Sequence, residues 1–284
     1  MAEWIIQLLN GVSFGFLLFL VAAGLSITFG LMRIINLAHG SFFMVGAYIG
    51  LSVSRVTGSL FLSVLVGATV IGIIGAGIER FLLRRLYRQH LKQVLISFGL
   101  IYVFMDVSKF IWGMDDHSIP KPAFLADSIE ILGNSYPLYR LFVIVIGIAM
   151  AVGLWLFQEK TRWGAVIRAG VDDKEMVAGL GINIGVTSYL VFALGAFLAS
   201  FGGVIGAPFI GVSPGIDLEI LVLGLIVVVV GGLGTLQGAL VGSLLIGIMD
   251  SIGKALFPGV AMFTVYAAMV IILILKPSGL LGRK

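Results

Sequence analysis

The sequence predicts an all-α, polytopic membrane protein with about eight to nine transmembrane helices, including half-helices or re-entrant segments. Hydrophobic residues make up 60% of the 284 and charged residues only 11%, whereas a soluble globular chain is about a quarter charged. Several apolar runs exceed the roughly 18 residues that a helix needs to cross the hydrocarbon layer. The runs are continuous, unlike the alternating strands of a membrane β-barrel. We therefore expect residues 1–284 to form a single transmembrane domain.

Nine apolar segments define the predicted helices. They cover 4–32, 37–54, 59–79, 93–113, 138–158, 185–207, 220–232, 236–252 and 260–275. The segment 220–232 is too short to span a membrane at about 1.5 Å per residue. Irregular backbone at membrane depth persists only where it is buried in protein or lines a cavity. We therefore interpret 220–232 as a half-helix or a re-entrant segment.

The distribution of basic residues predicts the orientation of the chain. Three clusters hold 12 of the 18 Lys and Arg residues: Arg80, Arg84, Arg85, Arg88 and Lys92; Lys160, Arg162, Arg168 and Lys174; Lys276, Arg283 and Lys284. Short basic loops face the cytoplasm. This places the N-terminus outside and the C-terminus in the cytoplasm. It also explains the net charge of +4 without a nucleic-acid partner.

The predicted outer loops are acidic, and they comprise 114–137 and 208–219, the second with Asp217 and Glu219. The start of the chain, Met-Ala-Glu-Trp, lacks the basic region of a cleavable signal peptide, so we expect the first apolar run to remain as a helix. The absence of cysteine excludes disulfides, thiol catalysis and thiolate metal sites.

A polar island at about 159–184 interrupts the apolar segments and is predicted to be a cytoplasmic coupling loop. Residues 172–180 can form a short helix whose first turn is acidic, as the helix dipole favours. Gly181 can end that helix in a left-handed conformation. The candidate docking residues are Asp172, Asp173, Glu175, Met176, Ala178 and Gly181. The alternative is an ordinary solvated loop.

Two other stretches place polar groups beside likely helix breaks. They share the spacing Gly-x5-Gly-Ala, starting at Gly40 and at Gly232. Polar groups within a membrane are costly and often mark a transport pathway. The candidate pathway residues are Asn36, His39, Ser41, Thr235 and Gln237. The alternative is that these groups form turns and hydrogen bonds between neighbouring helices.

Several motifs along nearly the whole chain resemble one family, the permease subunits of the branched-chain amino acid type of ABC importer. The chain looks like the first of the two dissimilar permeases of such systems. Glu175 and Gly181 have the Glu-x5-Gly spacing of the loop that docks on the ATPase in ABC importers, although Met176 and Val177 replace the usual alanines. The other motifs are Arg33-Ile-Ile-Asn-Leu-Ala-His-Gly40 with Gly46-Ala-Tyr48, Arg162-x5-Arg168-Ala169 with Gly181-Ile-Asn183, Gly231-Gly-x-Gly-Thr-x2-Gly-Ala239, and Lys276-Pro-Ser-Gly-Leu280.

The resemblance implies an ATP-driven, binding-protein-dependent importer in the cell (inner) membrane, for branched-chain or other small amino acids. Its implied partners are a second permease subunit, two cytoplasmic ATPase subunits and an extracytoplasmic solute-binding protein. The chain contains no Gly-x4-Gly-Lys-Ser/Thr phosphate loop, so we expect a transport subunit without its own ATPase site, without catalytic residues and without a cofactor or metal.

Three alternatives stay open on the sequence alone. The same importer class also carries urea or amides. A secondary transporter driven by an ion gradient would need acidic coupling-ion ligands, for which there are few candidates. A membrane-embedded enzyme would need convergent His, Asp or Cys groups, and three isolated His residues do not supply them.

The predicted orientation is testable with single cysteines in this cysteine-free chain. Asp127→Cys should react with a membrane-impermeant thiol reagent added outside intact cells, and Arg85→Cys should react only after the membrane is permeabilised. Labelling is read by mass shift. The reverse pattern would overturn the orientation and the coupling role of 159–184.

Overall fold

The computed structural model describes residues 2–34, 36–87 and 89–282, apart from the side chain of Met262. Three members of the basic clusters, Arg88, Arg283 and Lys284, lie outside the described residues. The helices are α1 (Ala2–Met32), α2 (His39–Thr57), α3 (Leu60–Ile78), α4 (His90–Trp112), α5 (Leu138–Lys160), α6 (Arg162–Asp172), α7 (Lys174–Gly179), α8 (Ile184–Ile210), α9 (Ile216–Gly231), α10 (Leu236–Leu256) and α11 (Ala261–Leu275).

The fold class is confirmed. Within the described residues, six helical stretches are long and apolar enough to cross a membrane: α1, Leu60–Leu86, α4, α5, α8 and α10. The helices α2, α9 and α11 pack against these stretches. The range Leu60–Leu86 is continuous because α3 runs into a π-helical turn, Glu79–Leu83, and a 3-10 turn, Arg84–Leu86.

Helix α1 is the centre of the bundle and packs closely on α8 and α10. A Cβ added to Gly15 would meet the backbone of Ser243 and Leu244 on α10, and a Cβ on Gly24 would meet the carbonyl oxygen of Gly195 on α8. Small residues allow helix backbones to approach closely, and van der Waals packing then stabilises the association. The apolar side chains of α1 from Phe16 to Leu25 are accordingly buried.

Two apolar clusters fill the bundle on either side of α8. One joins α2, α3 and α8 and includes Phe42, Tyr48 and Ile71. The other joins α1, α8, α9 and α10 and includes Phe19 and Val227. Helix α8 belongs to both, so it links the two halves of the fold.

The bundle has two distinct ends, which we call the basic end and the hairpin end. The basic end carries Arg84, the helices α6 and α7, the turn between α9 and α10 and the C-terminal tail. The hairpin end carries the antiparallel strands β1 (Ser128–Ile131) and β2 (Asn134–Pro137). There the backbones of His117 and Val212 also pair, with N to O distances of 2.8 and 2.7 Å.

Helix α9 is short, as the sequence predicts, but the predicted 208–219 loop is wrong. Helix α8 continues through Pro208 to Ile210, and α9 begins at Ile216. Proline is tolerated in membrane helices because neighbouring groups satisfy the freed backbone. The connection therefore shrinks to 211–215, where Gly211 and Gly215 have φ of 82° and 104°. Asp217 consequently lies in the first turn of α9 and is 1% exposed.

Helices α2 and α9 both begin inside the bundle. The imidazole Nε2 of His39 lies 3.1 Å from the carbonyl oxygen of Val21. Val21 is nine residues before Gly30, about 13 Å along α1, and Gly30 contacts Gly234 at the basic end. The 16 residues of α9 span about 24 Å, less than the roughly 30 Å of hydrocarbon.

The starts of α2 and α9 are in direct contact. A Cβ on Gly40 would overlap the carbonyl oxygen of Asp217, so a side chain at position 40 would push the two helices apart. The Ser41 hydroxyl donates a hydrogen bond of 2.9 Å to Oδ2 of Asp217. Elsewhere, two ion pairs lie on single helix faces: Asp106 with Lys109 at 3.7 Å and Asp250 with Lys254 at 2.7 Å.

The contact of α1 with α10 gives a stability prediction. In Gly247→Val the new side chain would meet the backbone of Gly11 and Gly15, whereas position 153 has no neighbour within 4 Å. Overpacking of this kind costs about 1–3 kcal/mol. We expect Gly247→Val to lower the thermal unfolding midpoint in detergent well below that of the control Gly153→Val. Equal midpoints would contradict the close packing.

Candidate functional site

A cavity of about 850 Å³ opens at the basic end of the bundle. The ends of α1 and α5, helix α6, the turn between α9 and α10 and the C-terminal tail form its wall. Two of the five predicted pathway residues, Thr235 and Gln237, line it. The other polar and charged residues of the wall are Arg33, Gln158, Glu159, Arg168, Asp172 and Ser278.

Glycine builds the turn that carries Thr235 and Gln237. Gly232 and Gly234 have φ of 111° and 77°, a region that costs a side-chain-bearing residue about 1–2 kcal/mol. The Thr235 hydroxyl donates to the carbonyl oxygen of Gly232 at 2.9 Å. Gln237 lies in the first turn of α10, and its side chain remains exposed.

The C-terminal tail forms backbone hydrogen bonds with the end of α9, next to the same turn. The backbone N–H groups of Leu280 and Leu281 donate to the carbonyl oxygens of Val230 and Gly231, at 2.7 and 2.8 Å. These carbonyls end α9 and have no partner within the helix. The tail thus satisfies the end of α9 while it forms one side of the cavity.

The cavity wall carries charges of both signs. Arg168 lies 3.5 Å from Glu159, and Arg33 stands beside them with a positive φ of 55°, a conformation that concentrates at functional sites in non-glycine residues. Burial, followed by the nearby Arg33 guanidinium, lowers the pKa of Lys174. A wall with both signs suits a zwitterionic solute.

A smaller apolar chamber of about 310 Å³ adjoins the cavity. Phe19, Val152 and Leu240 line it, and Trp155 and Gln237 line both spaces. Together the two spaces offer polar partners on one side and an aliphatic surface on the other.

The remaining predicted pathway residues, Asn36, His39 and Ser41, do not line this cavity. All three are at most 2% exposed. Asn36 accepts a hydrogen bond from the N–H of Ala38 at 3.1 Å, and Ser41 donates to Asp217. Because α2 starts inside the bundle against α9, these side chains contact nearby backbone and side chains, although Nδ2 of Asn36 has no hydrogen-bond partner among the described residues. The structure does not bring the two glycine-containing stretches together around one space.

Asp217 is a buried polar residue that the sequence interpretation placed in a loop. Its Oδ2 accepts from Ser41, and its Oδ1 has no hydrogen-bond partner among the described residues. An ionisable group in the first turn of a short apolar helix was the available signal, since such groups at membrane depth are rare and face the bundle interior.

The polar island folds as two helices. The short helix with an acidic first turn that the sequence predicts over 172–180 is present as α7, Lys174–Gly179, and a second helix, α6, precedes it. Helix α6 ends at Asp172, and the Asp173 carboxylate caps α7 by accepting from the N–H groups of Glu175 and Met176, at 2.9 and 3.0 Å. An aspartate can bond neighbouring N–H groups in this way and so starts a new helix. The left-handed ending is confirmed, because Gly181 has a φ of 80°.

Helix α7 presents an exposed acidic and apolar surface. The side chains of Met176 and Leu180 are 67% and 75% exposed, while Val177 is 3% exposed and anchors the helix. The predicted docking residues all lie on the exposed part of the segment: Asp172, Asp173, Glu175, Met176, Ala178 and Gly181. Exposed apolar side chains among charges are typical of a surface that another protein covers.

The described residues contain no group of three or more His, Cys, Asp or Glu side chains arranged to hold a metal ion.

Comparison with known proteins identifies the relatives of this chain. Residues 7–275 match the family model described as branched-chain amino acid transport system / permease component. The permease protein LivH of a high-affinity branched-chain amino acid transport system in Escherichia coli K12 is 28% identical, with 98% of this chain and 95% of that protein covered. BraD of Pseudomonas aeruginosa is 27% identical with the same coverage.

A solved structure, PsaBC from Streptococcus pneumoniae in complex with Fab, shares the fold. Its TM-score is 0.53 at 12% identity, and the alignment covers 95% of this chain and 91% of that one.

The cavity predicts a difference in accessibility between two of the pathway residues. In single-cysteine variants, Gln237→Cys should react with a small water-soluble thiol reagent, because position 237 faces the cavity. His39→Cys should stay unlabelled, because position 39 is 1% exposed. Labelling of detergent-purified protein is measured by intact mass. Equal reaction at both positions would show that the stretch 36–41 also faces water.

Proposed function

The chain belongs to the family of permease components of branched-chain amino acid transport systems, and we propose that it forms one half of the transmembrane pathway of an ATP-driven importer. The proposed solutes are branched-chain or other small amino acids. The proposed partners are a second permease subunit, two cytoplasmic ATPase subunits and an extracytoplasmic solute-binding protein.

One observation carries the coupling role. The exposed surface of α7 and the cavity lie at the same end of the bundle, and α6, which leads into α7, is part of the cavity wall. A protein that moves α7 is therefore in a position to change the shape of the cavity. We propose Asp172, Asp173, Glu175, Met176, Ala178 and Gly181 as the ATPase-coupling residues.

In the proposed orientation the basic end faces the cytoplasm and the hairpin end faces outward, in line with the excess of Lys and Arg at the basic end. The N-terminus then lies outside and the C-terminus in the cytoplasm. The chain has no phosphate loop, so the energy of ATP hydrolysis would arrive through α7. Closure of the ATPase pair would favour one of two bundle conformations, a population shift with rigid-body movement.

Two features support amino acids over urea or simple amides as the solute. Charges of both signs line the cavity and match a zwitterionic head, and the adjoining chamber offers an apolar surface for an aliphatic side chain. Thr235 and Gln237 are proposed to contact the solute in passage. Asn36, His39 and Ser41 would shape the pathway from within the bundle, by holding the start of α2 against α9.

The test compares two glycines that differ only in backbone conformation. Added Cβ atoms at 179 and at 181 meet nothing within 4 Å, but only Gly181 has a positive φ. Gly181→Val should therefore strain the end of α7 by about 1–2 kcal/mol, while Gly179→Val should not. We expect Gly181→Val to assemble with its partners but to lose most leucine uptake and solute-stimulated ATP hydrolysis in proteoliposomes.

The outcome for the wild-type complex is also informative. If it imports leucine and Gly181→Val matches Gly179→Val in both assays, coupling does not depend on this segment. If the wild-type chain, co-purified with its ATPase and binding protein, imports no amino acid, the proposed function itself is wrong.

A further inference from the structure

A chain of polar contacts joins the start of α8 to the end of α3. The half-buried Tyr87 hydroxyl donates to a carboxylate oxygen of Glu79, and the Ser188 side chain of α8 lies within hydrogen-bonding reach of Tyr87. Glu79 is fully buried and Ser188 is 1% exposed. Burial raises the pKa of Tyr87 well above its usual range, so the phenol keeps its proton and remains a donor at neutral pH.

A second contact joins the same two segments without Tyr87. The guanidinium of Arg84 lies over Gly185, where an added Cβ would overlap it. Gly185 is in the first turn of α8, two residues after Asn183, whose side chain caps that helix by accepting from the N–H of Val186 at 3.2 Å. The start of α8 is thus in contact with both Arg84 and Tyr87.

The end of α3 has an unusual backbone where these contacts occur. Glu79 begins the π-helical turn Glu79–Leu83. Single π-turns are rare and are frequent at functional sites. The second carboxylate oxygen of Glu79, Oε2, has no partner among the described residues, so Tyr87 is the neutral donor that keeps this buried group hydrogen-bonded.

The contacts continue from α3 to α4 and α2. The side-chain amide of Gln93 on α4 donates to the carbonyl oxygen of Leu83 at 3.4 Å. Farther along α4, the Ser97 hydroxyl accepts from the N–H of Leu37 at 3.2 Å, just before the start of α2. The start of α8 is therefore connected to α3, α4 and α2 through buried polar contacts.

From this arrangement we propose that Tyr87 is a positioning residue for energy coupling: it ties the start of α8 to the end of α3, so that a displacement of α7 moves α3 and α4 together with α8. The proposal rests on the proposed coupling role of α7. Breaking the contact between Tyr87 and α8 would leave the ATPase able to dock and hydrolyse ATP. Less of each ATP-driven movement of α7 would then reach the membrane-spanning helices.

These polar contacts suit this role. Loss of the Tyr87 hydroxyl would leave the buried Glu79 carboxylate without the hydrogen bond from Tyr87, which is costly in a low-dielectric site. Arg84 adds a second contact between the two segments, at Gly185. The α8 segment that receives the movement follows α7 by only four residues, 180–183.

The experiment measures ATP hydrolysed per leucine imported in proteoliposomes that contain the complete complex with saturating binding protein. Tyr87→Phe removes the hydroxyl without changing the ring, and Ser188→Ala removes the other end of the chain. The control is Tyr102→Phe on α4, where the side chain is 49% exposed. We expect Tyr87→Phe and Ser188→Ala to raise the ratio about two- to tenfold, and Tyr102→Phe to leave it unchanged.

A purely structural role predicts a different result. In that case Tyr87→Phe lowers the thermal unfolding midpoint or the yield of complex, but the surviving complexes keep the wild-type ratio, and this would overturn the proposal. If the Tyr87→Phe complex does not assemble, the Ser188→Ala complex is the test. A wild-type ratio of ATP hydrolysed to leucine imported in Ser188→Ala would likewise overturn the proposal. The wild-type complex is measured before any variant. If it shows no leucine-stimulated ATP hydrolysis, the proposed function itself is refuted.

Discussion

The contact between the starts of α2 and α9 is the constraint on which the arrangement of the bundle depends. Each helix N-terminus carries a partial positive charge, and here two of them meet inside the bundle. The Ser41 hydroxyl and the Asp217 side chain hydrogen-bond across this contact. Gly40 lets the backbones touch. Because both helices start inside, their irregular connections are enclosed by protein, as backbone at membrane depth requires.

Helix α8 connects the two ends of the bundle. Its 27 residues extend for about 40 Å, from the capping residue Asn183 at the basic end to the backbone pairing of Val212 with His117 just beyond its hairpin end. It contacts α1 at Gly195 and α2 at Ser200. A rigid element of this length, packed through glycines on both sides, connects the exposed surface of α7 with the far end of the bundle.

The sequence predicted the parts of the fold that depend on local composition. Long apolar runs predicted the helices, and the isolated glycine after a short amphipathic segment predicted the left-handed turn at Gly181. Boundaries set by tertiary contacts were not predictable. Pro208 suggested a loop, but neighbouring helices stabilise α8 around it. The helix predicted from residue 172 begins two residues later, at Lys174, because the Asp173 side chain caps α7 just after α6 has ended.

The candidate site was predictable only in part, for a related reason. Thr235 and Gln237 follow a glycine-rich turn, which is a local signal, and they do line a cavity. Asn36, His39 and Ser41 also lie near a glycine, yet they are buried. They are buried because other helices pack against the start of α2, which the local sequence does not show. The cavity wall itself combines α1, α5, α6, α10 and the tail, which are distant in sequence, and no single segment encodes it.

The central position of α1 has a consequence for how the protein is made. Helix α1 is made before α8 and α10, but its glycine faces contact both helices, which are synthesised some 180 to 240 residues later. Until then its core-facing side must rest against lipid or a chaperone. Native contacts of such long sequence separation form late and slowly. The nascent chain therefore remains an incomplete bundle through most of translation, and the interval before α10 arrives is when misassembly and degradation compete most strongly with folding.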